Sequence, residues 1–186
     1  AFLRSCRDVT SCEVVARDGS TPPDTAPVPI TGLRHEFASI AQAVAHAGDA
    51  PHLGTTDLAA VNTTLELRCY GDGSADSSAV TIDGWTTAVG RELVIRAAPE
   101  ARHPGRWSED AGYRLEVTDA PACIRSAVSH LRLEGLQLLC ASDPANDVAG
   151  VLLDDGSASV ELDGLIIRLD GANAAGDRLG VAAPAV

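Results

Sequence analysis

The chain has 186 residues, enough for one well-buried core and too few for two ordinary domains with a linker. With 45% hydrophobic but only 3% aromatic residues, that core must be built from Val, Ile, Leu and Ala, which suit stacked strands. A net charge of −12 repels a phosphate backbone, so nucleic acid is excluded as an expected partner, and no apolar run is long enough to span a bilayer.

The chain contains no Met and starts Ala1-Phe2-Leu3, which leads us to expect an exported product whose signal peptide has been removed. Five cysteines point to an oxidising compartment, hence an extracellular or cell-surface location. Their odd number leaves at least one thiol free or bonded to another chain. Residues 1–18 form an arm in which Cys6 and Cys12 are close enough for a small disulfide loop or a tight hairpin. Residues 19–34 are a Pro-rich linker, since Pro22, Pro23, Pro27 and Pro29 lock φ and remove donors.

The body, 35–186, opens on EFASIAQAVAHA, where Phe37, Ile40, Ala41, Val44 and Ala47 recur at helical spacing. Helical periodicity then stops. Short apolar runs bounded by Gly, Asp, Pro and Ser take over: LELRCY, AVTIDGW, ELVIRA, YRLEV, LRLEGLQLL, GVLLDD and VELDGLIIRL.

These runs repeat one another. LRLEGLQL superposes on VELDGLII, aligning Glu134 with Asp163, Gly135 with Gly164 and Leu136 with Leu165, and VTIDGW sets Asp83, Gly84 and Trp85 in the same places. Alternating apolar residues point inward, the acidic-Gly pair turns a corner at positive φ, and the next run starts a new face. A recurring strand-turn signature with uneven spacing predicts a solenoid of about five coils with loops of varied length.

The helix EFASIAQAVAHA followed by ELVIRAAPEARHPGRW and SAVSHLRLEGLQL resembles the right-handed parallel β-helix repeat proteins, the broad pectin-lyase-like group. The resemblance covers residues 35–186. It implies an all-β fold: a short right-handed parallel β-helix with an N-terminal capping helix, preceded here by an extended arm. Enzymes of that group act on polysaccharides, and the corresponding low-specificity groove in this chain would be Arg102, Arg106, Asp154 and Asp155. The match is thin: Asp154-Asp155 lacks the companion elements of polygalacturonase-like members, and Arg102-His103-Pro104-Gly105-Arg106 is one residue short of the pectate-lyase-like arginine pattern. No catalytic residue is therefore assigned. The five His are scattered and Cys-x-x-Cys is absent, so neither a cofactor nor a dedicated metal site is expected, beyond adventitious Ca²⁺ on an acidic surface.

Cys123 and Cys140 lie 17 residues apart, where a bond would staple one coil, and Cys69 is left as a buried free thiol or an intermolecular one. After VELDGLIIRLDG the chain trails into small and apolar residues, with nothing resembling a second cap. An uncapped stack, a detachable arm and an odd cysteine together suggest a structural subunit. It would assemble head-to-tail into a fibre or appendage, with the arm (Ala1, Phe2, Leu3, Cys6 and Cys12) docking on a neighbour. The alternatives are a protein that binds or degrades polysaccharide and a surface module acting as a passive spacer.

Overall fold

The computed structural model describes the backbone of residues 2–8 and 11–15, and residues 36–50, 52–71, 73–141, 147–154, 159–170 and 178–183. The expected linker 19–34 lies outside the described residues. The chain divides into two compact units, Ala1–His35 and Glu36–Val186. In the first, the backbones of β1 (Phe2–Asp8) and β2 (Ser11–Val15) pair antiparallel with Cys6 opposite Cys12.

The second unit begins with α1 (Ile40–His46). It is shorter than the periodic stretch because Ser39 ends it: its side chain accepts from the Gln42 N–H (3.0 Å), while Gln42 Oε1 accepts from the Ala38 N–H (2.8 Å). This reciprocal cap satisfies donors that the first helical turn leaves open. Ile40, Ala43 and Val44 face the core.

Among the described residues eleven strands follow: β3 (Leu65–Cys69), β4 (Val80–Ile82), β5 (Leu93–Ala97), β6 (Arg114–Thr118), β7 (Ala122–Ser126), β8 (His130–Glu134), β9 (Gln137–Ala141), β10 (Val148–Leu153), β11 (Ser159–Asp163), β12 (Ile166–Asp170) and β13 (Arg178–Ala182). They form three parallel sheets, ordered β3-β5-β8-β11, β6-β9-β12 and β4-β7-β10-β13. The chain visits the sheets in rotation, which makes the unit a solenoid-like all-β body of four turns among the described residues, one fewer than the runs predict. In the first turn Asp76 alone stands where a strand would pair with β6, through a bridge to Leu115.

Register explains the core. Leu65, Leu93, Leu131 and Val160 are successive partners, as are Leu67, Ile95, Leu133 and Leu162, and across the next sheet Leu115, Leu138 and Ile167. Each ladder stacks aliphatic on aliphatic, and the middle rungs are sealed from solvent. Two turns share the predicted corner. Gly135 and Gly164 both have positive φ (67° and 57°), and Gly135 N–H donates to the Asp163 carbonyl at 2.9 Å. Gly84 also has positive φ, yet it follows β4, whose neighbour is β7, so VTIDGW belongs to another corner than LRLEG. The motif marks a local backbone shape, and any corner of the stack can use it.

One carboxylate fastens the helix to the body. Asp76 Oδ2 accepts from the Ile40 N–H (2.9 Å) and from the buried Tyr113 hydroxyl (2.7 Å), and Oδ1 accepts from the Ser78 N–H (3.0 Å). Trp85 Nε1 adds a bond to the Val44 carbonyl at 3.2 Å. Burial, with Asp76 as a smaller influence, pushes the Cys69 thiol up to about 12. Replacing Asp76 by Ala strands the Tyr113 hydroxyl and frees the helix start, at an expected cost of about 2–3 kcal/mol. Alkylation of Cys69 at pH 8 then becomes measurably faster than in the parent protein; an unchanged rate and an unchanged melting temperature would refute the latch.

Candidate functional site

Side chains pointing away from the core on β3, β5, β8 and β11 form two columns, Glu66–Val94–Arg132–Glu161 and Arg68–Arg96–Glu134–Asp163. Period-2 alternation places every charge of these strands outside and every ladder residue inside. Glu134 is the centre: its side chain is only 5% exposed, and it pairs with Arg96 (3.4 Å), Arg102 (3.3 Å) and Arg132. The network extends from Arg96 to Glu66 (3.7 Å) and from Arg132 to Glu161 (3.1 Å), with Arg68 also on Glu66.

Arg102 arrives from the segment joining β5 to β6, which runs as a strap across the neighbouring turns. A Cβ on Gly135 would stand 3.1 Å from Arg102 Nε, so the glycine both turns the corner and leaves room for this arginine. His103 Nε2 contacts the Gly164 carbonyl oxygen, and its Nδ1 accepts from the Gly105 N–H (3.1 Å). Buried Gln137 accepts from the Ser108 N–H at 2.7 Å and donates to the Ala111 carbonyl at 2.9 Å. Arg168 lies over the Trp107 ring, 5.9 Å from its centroid.

The residues of the expected groove are not brought together. Arg102 is engaged with Glu134 beside the corner after β8, whereas Asp154 follows β10 in a different sheet and pairs with Arg125 at 2.7 Å. Arg106 is exposed on the strap, and Asp155 lies outside the described residues. Strand alternation alone could not foresee this, because Arg102 and Asp154 belong to different corners of the cross-section. Glu134, Arg96, Arg132 and Gln137 went unassigned, although the polar positions of ELVIRA and LRLEGLQ, aligned by the repeat, carry their signal. Among the described residues no group of three or more His, Cys, Asp or Glu could hold a metal ion.

Cys123 and Cys140 are bonded, with Cα atoms 5.7 Å apart, in the usual range for a disulfide. The bond links β7 to β9, the first and last of three consecutive strands that visit each sheet once, so it staples a single coil of the chain. Cys69 is free and buried. Of the arm residues, Ala1 lies outside the described residues, while Phe2, Leu3, Cys6 and Cys12 are described in their backbone alone.

The second surface of interest is the last turn. Leu131, Leu133 and Leu138 are buried one turn earlier, but their ladder successors Val160, Leu162 and Ile167 are only half-buried. On β13, a stretch of small and apolar residues in the sequence, Leu179 and Val181 are 45% and 44% exposed. Fold and surfaces together define an all-β, parallel, solenoid-like protein with a charge network on β3, β5, β8 and β11 and a last described turn whose ladder residues are half-buried. The chain matches no family model, no curated protein and no solved structure. No helix among the described residues is long and apolar enough to cross a membrane.

Proposed function

We propose that the chain is an extracellular structural subunit, a closed right-handed parallel β-helix that self-assembles into a fibre or appendage through its final turn and its N-terminal arm. The observation that carries this reading is the change along one ladder: side chains sealed at β8 and β9 are repeated, half exposed, at β11 and β12. Covering such a layer with another removes apolar surface from water at roughly 25 cal/mol per Å². Charge favours the arm as a mate, because the four Arg and four acidic residues of 1–35 cancel and the net −12 resides on the rest of the chain. A neutral arm meets an acidic body without the repulsion that two bodies feel. The polysaccharide reading has less support, since Arg102 and Asp154 each spend their charge on a partner within the fold.

Sedimentation velocity over a concentration series tests the proposal. The full chain is expected to gain mass with concentration, more so at about 0.5 M than at about 0.05 M salt, because screening weakens repulsion between acidic bodies. Deleting residues 1–20 should abolish growth beyond small oligomers. A full chain that stays monomeric under all conditions would overturn the assignment.

A further inference from the structure

We infer that the final turn makes its contact through β13, which pairs antiparallel with β13 of a second copy about a two-fold axis centred on Gly180. The inference rests on the assembly reading and specifies one of its contacts. In the sheet β4-β7-β10-β13 the two edges differ: α1 packs against β4, while β13 has a neighbour on one side alone among the described residues. An unpaired edge offers a row of backbone donors and acceptors to another strand, unless charge or proline blocks it.

The other strands of that turn are poor partners for themselves. A two-fold pairing centred on β11 sets Glu161 against its own copy, and one centred on β12 sets Arg168 against Arg168 and Ile166 against Asp170. Like charges directly opposite one another destabilise an antiparallel pair. In β13 the same operation sets Leu179 against Val181 and Val181 against Leu179, with glycine facing glycine at the axis. Leu179 and Val181 are also two of the few large hydrophobic residues with high exposure in the described structure. No charged residue occurs from Leu179 to Val186 and the two-fold sets Arg178 against Ala182, so β13 meets its copy without a like-charge pair directly across the ladder. A Cβ on Gly180 would have nothing within 4 Å in its own chain, which leaves space for the approach.

The geometry has a direct consequence. A two-fold contact is isologous and closes on itself, so it yields a pair and not a growing chain. Elongation then falls to the arm, and the pair is the repeating block.

Oxidative cross-linking of full-length Gly180→Cys tests this. Opposed residues in an antiparallel pair have Cα atoms about 4.5–5.5 Å apart, within disulfide reach, so at least about tenfold more covalent dimer is expected than from Glu161→Cys. Mass spectrometry should show position 180 linked to position 180. A link from 180 to Cys6 or Cys12 would mean that the arm occupies β13, overturning the two-fold while leaving assembly intact. Strong Glu161→Cys linkage with none from 180 would likewise overturn it. As a second variant, Leu179→Glu with Val181→Glu should halve the mass of the smallest oligomer with an unchanged circular dichroism spectrum; an unchanged mass would count against the contact.

Discussion

Glu134→Ala is expected to be among the most damaging single substitutions in the protein, lowering stability by about 2–4 kcal/mol. Glu134 is almost wholly buried and three guanidinium groups converge on it, so its removal takes from Arg102 the carboxylate it pairs with and leaves Arg96 and Arg132 to the more distant or more exposed Glu66 and Glu161. Breaking a buried pair by deleting one partner usually costs about 3–5 kcal/mol; the arginines are 31%, 47% and 35% exposed, so water recovers part of that. Arg102→Ala, at the exposed end, should cost less than about 1 kcal/mol. Urea unfolding measures both, and hydrogen exchange at Ser108 and Tyr113 reports whether the strap loosens. Glu134→Gln separates charge from shape: it keeps the side-chain volume and loses the ionic attraction, so it should fall between the parent and Glu134→Ala. Equal stability of Glu134→Ala and the parent would show that the network is ornamental.

Gly150→Val is the second large effect, expected at about 3 kcal/mol or more. A Cβ at position 150 would overlap Ile167 Cγ2 and come 2.8 Å from the Gly180 carbonyl oxygen. Ile167 belongs to a core ladder and the carbonyl belongs to the neighbouring strand β13, so neither can retreat without disturbing the last turn. Overpacking of this kind typically costs about 1–3 kcal/mol for small additions and more against backbone. Pairing Gly150→Ala with Ile167→Ala, which removes the overlapping Cγ2, should cost less than the sum of the two single losses, the positive coupling expected of residues in contact. Thermal unfolding of the four proteins checks it; strictly additive losses would place the strain elsewhere.

Much of the body was legible because its information is local. LELRC, RLEVT, HLRLE and SVELD each alternate apolar with polar residues, so a strand half buried in a stack is written into five residues. The corner LEGL is readable for the same reason, since positive φ at Gly135 and Gly164 excludes most other side chains. Two strands escaped. ACIRS has a nearly unbroken buried pattern with no alternation to detect, and RLGVA is short, glycine-split and flanked by small residues that look like a tail. The candidate groove came from the resemblance alone, and its members Arg102 and Asp154 are each engaged by a partner, Glu134 or Arg125, about 30 residues away in the chain.

Taken alone, the sequence determined the aliphatic core, the parallel stacking of repeats around acidic-Gly corners and the helix placed before the first turn, because periodicity and turn chemistry act within a few residues. Only the tertiary structure decided which corner each motif occupies, that Glu134 gathers three arginines, and that β13 has one strand neighbour among the described residues. Those outcomes depend on register, and register is set by how whole turns of unequal length settle on one another, a long-range balance that no single segment encodes.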